Sequence, residues 1–167
     1  GSSITHGASA LRPTGSYTMR TAQHLSVDLI NLGFGGGAHC ESQIADYIAE
    51  RKDWDFASLE MGINMINEFS TEEFTKRVEY LVERIVKAHP DKWVFAIDLF
   101  TFAADYDPTF KKQNEFRHAV KTIIKKLNMP KLVYVDGRNI LKTISGLTFD
   151  LVHPAPAGME EIASNLS

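Results

Sequence analysis

Three residue types at the two ends of this 167-residue chain could together cleave an ester. The chain opens Gly1-Ser2-Ser3-Ile4-Thr5-His6-Gly7, a small, turn-prone segment that presents hydroxyls. Near the other end, Asp150-Leu151-Val152-His153-Pro154 sets a carboxylate three residues before an imidazole. An alcohol is a weak nucleophile until a base takes its proton, and that base works best when a third group orients its ring. Residues at i, i+3 share one face of a helical turn. Asp150 is therefore expected to hold one ring nitrogen of His153 while the other faces a serine. A fold that joins the two ends would have the parts of a hydrolase acting through serine.

Two further blocks lie between the ends, Asn31-Leu32-Gly33-Phe34-Gly35-Gly36-Gly37 and Glu60-Met61-Gly62-Ile63-Asn64-Met65. A Gly-x-Ser-Ile block, a glycine block, a Gly-x-Asn block and an Asp-x-x-His-Pro block follow one another in this order. That order resembles the SGNH, or GDSL-like, hydrolases, which comprise lipases, acylhydrolases and carbohydrate esterases. Each block alone arises by chance; the four in order carry the resemblance over essentially the whole chain.

The resemblance implies Ser3 as nucleophile, His153 as general base and Asp150 as the group that orients the ring. It also implies an oxyanion hole, because a tetrahedral intermediate needs donors aimed at its charged oxygen. The family builds one from the nucleophile's own N–H, a glycine N–H and an asparagine amide, here Ser3, Gly36 and Asn64. Gly36 matches by its place five residues after Asn31, with Gly35 and Gly37 as register alternatives. Ser2 stands where the family usually has Asp. Met65 replaces the Asp that follows the asparagine and is expected to make the pocket rim more apolar. No metal and no cofactor is implied.

Without the resemblance each block has a plainer meaning. Ser3 would be a capping or terminal serine, Asp150 a helix cap, His153 a surface residue and Asn64 a turn residue. The glycines would be a flexible turn or a phosphate cradle, although no G-x-G-x-x-G spacing exists. Among the other histidines, His24, His89 and His118 fall in or beside helices and are expected to face solvent. His6 and His39 lie near the blocks and could touch substrate. Cys40, the single cysteine, is expected to be a small buried hydrophobe; it excludes an internal disulfide and a thiolate zinc cluster. Arg12, Trp54 and the aromatic-rich segment 100–106 could line a pocket or simply pack.

These residues need a rigid frame, and the remaining sequence describes one. Val27–Leu32, Phe56–Met61, Trp93–Phe100 and Leu132–Val135 are short, apolar and β-rich, as expected of strands covered on both faces. Between them, Ser70–Ala88 carries Phe74, Val78, Leu81, Val82, Ile85 and Val86 at helical spacing, with Ser70 and Glu73 as a capping box. Pro108–Leu127 repeats the pattern, and shorter helices are expected at Tyr17–Leu25, Glu41–Arg51 and Gly158–Asn165. The rhythm predicts an α/β fold, a three-layer α/β/α sandwich around a parallel, flavodoxin-like five-stranded sheet in one domain. Its first strand should precede the Ser3 block, yet the chain begins there, so residues upstream of Gly1 are expected to supply it.

Net charge is −3, from 18 basic and 21 acidic residues mixed along the chain, and no basic stripe points to nucleic acid. No apolar run approaches the roughly 18 residues of a membrane span, and no targeting segment is visible. Compartment and oligomeric state are left open. The expected activity is hydrolysis of short, acetyl-type esters of a polar alcohol, a carbohydrate among the candidates, through an acyl-enzyme. A lysophospholipase or thioesterase for longer chains is the enzymatic alternative. A catalytically silent carbohydrate-binding or scaffold domain is the other.

Overall fold

Three strands, β1 (Phe56–Glu60), β2 (Trp93–Ile97) and β3 (Leu132–Val135), pair in parallel in the order β1-β2-β3. The computed structural model describes all 167 residues. Its helices are α1 (Ser3–His6), α2 (Tyr17–Leu25), α3 (Ser42–Glu50), α4 (Thr71–Ala88), α5 (Lys112–Leu127), α6 (Gly137–Ile140) and α7 (Pro156–Leu166). The chain divides into two compact units. One comprises Gly1–Ala38, Phe100–Phe110 and Asp136–Ser167; the other comprises His39–Leu99 and Lys111–Val135.

The second unit holds the sheet with α3, α4 and α5. Register runs Phe56 to Trp93 and Val94 to Leu132. The apolar face of α4 is buried through Phe74, Val78, Val82 and Ile85, and Phe74 stacks on Phe116 of α5 with ring centroids 3.8 Å apart. Fully burying each such side chain contributes roughly 1.5–3 kcal/mol. The Ser70 hydroxyl accepts from the Glu73 N–H at 3.1 Å, the N-cap that the Ser70/Glu73 pair predicts. Helix α5 starts at Lys112 rather than Pro108 because Asp107 closes a turn first: its Oδ1 accepts from the Thr109 N–H and hydroxyl. At the end of β2 the buried Arg117 donates Nε and Nη2 to the Leu99 carbonyl at 3.1 and 3.0 Å, closing the strand three residues early.

The first unit packs α2 on α7. Tyr17 is buried, its N–H meets Met159 Sδ at 3.3 Å, and its ring meets Phe100 edge-on at 5.9 Å. Pro156 begins α7 at a position where a missing N–H costs nothing, two residues ahead of the expected start.

The expected strand Val27–Leu32 does not form. The segment has no regular secondary structure, and Val27 and Ile30 are exposed. A strand needs a neighbour for its N–H and C=O groups, and here only Gly1 supplies one. Gly1 N donates to the Leu32 carbonyl at 3.1 Å and Phe34 N–H donates to the Gly1 carbonyl at 2.8 Å, one rung of a parallel ladder. The sheet therefore has three strands rather than five. No helix is long and apolar enough to cross a membrane.

Candidate active site

Ser3 occupies the first turn of α1, a four-residue helix built by its own sequence. The buried Ser2 hydroxyl accepts from the Ile4 N–H at 3.1 Å, and Gly7 ends the helix in the left-handed region at φ 101°. Ser2 thus fills by hydroxyl the capping position where the family carries Asp, since both side chains offer an oxygen to the first turn. The Ser3 N–H is left without an intrahelical acceptor.

Asp150 and His153 lie on a tightly closed loop rather than on a helical turn. Thr148 N–H donates to the His153 carbonyl at 2.8 Å, and Leu147 and Pro154 form an antiparallel bridge. Inside the loop, Asp150 divides its work between two oxygens. Oδ1 accepts from the N–H groups of Val152 and His153, both at 2.9 Å, and from the Thr148 hydroxyl at 2.8 Å. Oδ2 faces His153 Nδ1 at 2.6 Å. The chain reaches this arrangement by placing Leu151 at φ 56°, a left-handed conformation that costs a branched residue energy.

The other ring nitrogen, His153 Nε2, lies 2.8 Å from Ser3 Oγ. Ser3, His153 and Asp150, which are 150 residues apart in sequence at the first link, form a continuous hydrogen-bonded line. Partial burial pushes the Asp150 carboxyl upward. The donors from His153, Val152 and Thr148 outweigh it and hold the group well below the usual carboxylate range. An ionised Asp150 accepts from Nδ1–H, which leaves Nε2 with a lone pair directed at the serine hydroxyl.

The glycine block borders this line. A Cβ placed on Gly33 would stand 2.2 Å from the His6 nitrogen, so only glycine lets the loop press against the end of α1. Gly36 has φ 73°, again a glycine conformation, and its N–H has no protein acceptor. Gly35 is the nearest of the three to the serine: a Cβ there would lie 4.0 Å from Ser3 Cβ. Asn64 lies in the second unit, on the turn that follows β1, where Met65 N–H donates to the Gly62 carbonyl at 2.9 Å.

The remaining candidates separate clearly. His6 is exposed, with Nδ1 3.2 Å from the Gly33 carbonyl oxygen. His24 and His118 are exposed as expected, but His89 is not: it is buried, pairs with the Ala49 carbonyl at 2.9 Å and packs edge-on against Trp54. Trp54 therefore serves packing. Met65 is completely buried and belongs to the core, not to a pocket rim. Phe100 and Phe102 are likewise core residues. His39 lies between Glu41 and Glu68, with Nδ1 3.6 Å from Glu41 and Nε2 4.0 Å from Glu68. Cys40 is buried and its thiol is pushed up to about 12 by that burial, so it is not a nucleophile at neutral pH. No group of three or more His, Cys, Asp or Glu side chains is arranged to hold a metal ion. A surface groove of about 670 Å³ between α4 and α5 shares no residue with the serine site.

Sequence reasoning missed Asn31. Its side-chain amide ties three segments of the first unit together, donating to the Thr5 carbonyl and the Thr18 hydroxyl and accepting from the Gly33 N–H. The available signal was its position two residues before a glycine, the spacing of a side-chain-closed turn.

The model of the GDSL-like lipase/acylhydrolase family matches residues 1–167. No curated protein matches the chain. Among solved structures, the salicylyl-acyltransferase SsfX3 of a tetracycline biosynthetic pathway aligns over 99% of this chain and 51% of its own, with a TM-score of 0.84 and 21% identity. A provisionally named GDSL-like lipase from Bacteroides ovatus aligns over 99% of this chain and 49% of its own, with a TM-score of 0.84 and 26% identity. A family two carbohydrate esterase from Clostridium thermocellum, solved with cellohexaose, aligns over 99% and 60%, with a TM-score of 0.78 and 14% identity. The chain spans about half the length of the first two.

Proposed function

The chain belongs to the GDSL-like lipase/acylhydrolase family, and from that premise we propose that it hydrolyses short-chain, acetyl-type esters of a polar alcohol through an acyl-enzyme on Ser3. The observation that carries this reading is the line from Ser3 Oγ through His153 Nε2, at 2.8 Å, to Asp150 at 2.6 Å. A carbohydrate esterase of the same fold supports a sugar as the alcohol.

In the first step Ser3 Oγ attacks the ester carbonyl carbon while its proton passes to His153 Nε2. The carbonyl π electrons move onto oxygen, and the resulting oxyanion is met by the N–H groups of Ser3 and Gly36. Asn64 holds the family's place for a third donor. Collapse of the intermediate breaks the bond to the alcohol, which leaves with the proton from His153. Water then repeats the sequence on the acyl-Ser3 ester, giving up a proton to His153, and the carboxylic acid departs as Ser3 recovers its proton. Asp150 keeps its charge throughout and stabilises the transient imidazolium.

Phe149 is 99% exposed beside Asp150, and Leu151 and Phe34 are exposed on the two loops of the site. These favour, as a second reading, a lysophospholipase or thioesterase acting on longer acyl chains by the same residues.

The test is turnover of a simple acetyl ester by wild type, Ser3→Ala and Ser2→Ala. Ser3→Ala should lower kcat by several orders of magnitude with the fold intact, whereas Ser2→Ala should mainly lower stability, by about 1 kcal/mol for a lost N-cap. Equal losses of kcat from both would defeat the assignment of Ser3. A wild type that binds sugar but turns over no ester would leave the silent binding domain as the reading.

A further inference from the structure

The two backbone donors of the proposed oxyanion site come from segments far apart in sequence, α1 and the loop 33–37. Something must set their separation to within a fraction of an ångström, since stabilisation of an oxyanion depends on donors already in place. Gly33 makes close approach possible but does not choose the register. The Asn31 side chain does both jobs that register requires.

We infer that Asn31 is a positioning residue that locks the glycine loop against α1, so that the Ser3 and Gly36 N–H groups converge on one oxygen. This rests on the reading of Ser3 and Gly36 given above. Asn31 Oδ1 accepts from the Gly33 N–H at 2.9 Å, which fixes the start of the loop. Asn31 Nδ2 donates to the Thr5 carbonyl at 3.0 Å, two residues past the serine on α1. The same nitrogen donates to the Thr18 hydroxyl at 3.1 Å, and Thr18 Oγ1 reaches the same Thr5 carbonyl at 3.4 Å and the Ser16 hydroxyl at 3.1 Å. One planar amide thus joins the loop, α1 and the first turn of α2. A carboxylate could serve Gly33 but would repel the Thr5 carbonyl. An aliphatic side chain could do neither.

Asn31 touches neither Ser3 Oγ nor His153, so its loss should leave the proton relay alone and weaken only the oxyanion interaction. Three variants read this. Asn31→Ala should lower kcat for a short ester tenfold to a hundredfold with KM changed less than threefold. The rate at which a small uncharged phosphonate ester modifies Ser3 should fall in the same proportion, because that step also builds negative charge on an oxygen. The pH dependence of kcat should keep its wild-type shape, which general damage to the first unit would not allow. Asn31→Asp should lose nearly as much. Asn31→Ser, whose hydroxyl can still accept from the Gly33 N–H, should fall between Asn31→Ala and wild type. Should Asn31→Ala fail to fold, the Asp and Ser variants carry the comparison. A folded variant with kcat and phosphonylation within twofold of wild type overturns the role of Asn31. If Ser3→Ala is silent in that same assay, only this inference fails. If Ser3→Ala is active, the reading of the site itself has failed.

Discussion

Asp150→Asn separates the two oxygens of Asp150 and so tests whether the line at the site is chemical or merely structural. Asparagine has the same size, and its carbonyl oxygen can keep the three donors now served by Oδ1: the N–H groups of Val152 and His153 and the Thr148 hydroxyl. Those three donors select the orientation of the amide. The NH₂ group then falls where Oδ2 stood, 2.6 Å from His153 Nδ1. Two N–H groups cannot face each other at that distance, so the ring adopts the tautomer with its proton on Nε2. Nε2 then faces Ser3 Oγ as a donor and cannot take its proton. A swap of this kind in a Ser–His–Asp triad lowers kcat about 10³–10⁴-fold, equivalent to roughly 4–5.5 kcal/mol of transition-state stabilisation. Steady-state hydrolysis of an acetyl ester measures it, and thermal melting serves as the structural control. Asp150→Asn should melt below wild type but above Asp150→Ala, in which the loop's three donors lose their acceptor. The same pair reads the carboxyl's depressed pKa. Its folded value lies below its unfolded value, so the stability it contributes is complete above about pH 4 and disappears as pH falls through the folded value. The stability gap between wild type and Asp150→Asn should close as pH falls from about 4 into acid. Activity of a folded Asp150→Asn within tenfold of wild type would refute the chemical role.

Two further outcomes are expected. Specificity constants should fall beyond butyrate; an acyl tunnel would instead add about 0.8 kcal/mol per buried methylene, close to fourfold per CH₂, and a steady rise to octanoate would select the longer-chain reading. Native Cys40 should resist iodoacetamide at pH 8, because a thiol pushed up to about 12 holds only about one part in 10⁴ as thiolate there; labelling at the rate of an exposed thiol would contradict its burial.

Local signals carried most of the helices. Tyr17–Leu25 begins and ends where its pattern says, because Ser16 caps it and Ser26 takes the left-handed conformation that stops it. Ser70 does the same for α4. Strands were legible only where a neighbour exists. Leu132–Val135 and Val27–Leu32 look alike as apolar, β-branched runs, yet the first finds β2 and the second meets a single residue, Gly1. Apolarity states that a segment wants cover and pairing; it does not state that a partner is present. His89 departs from its expected exposure for the complementary reason. It directly follows α4 as its C-cap, but the Ala49 carbonyl and the Trp54 ring, both distant in sequence, make it a core residue.

The site was legible to the extent that chemistry restricts residue type. Few side chains can replace a serine nucleophile or an imidazole base, so four blocks in a fixed order single out Ser3, His153 and Asp150 although no block does so alone, and the structure places the three in hydrogen-bonding contact. The route by which they meet was not legible. A helical turn was expected for Asp150–His153, and the chain instead closes a loop through Oδ1 and strains Leu151, because the carboxylate must satisfy three donors while it holds the ring. Asn31 was passed over for a related reason: a hydrogen-bonded amide at a turn looks the same in sequence whether it holds a surface loop or a pair of catalytic donors. Its importance depends on what the loop carries. In this chain the loop carries Gly36, and the other end of the tie is two residues from Ser3. Candidate reacting residues are recognisable by type and order along the chain, while a residue that ties two segments together becomes visible only with its partners.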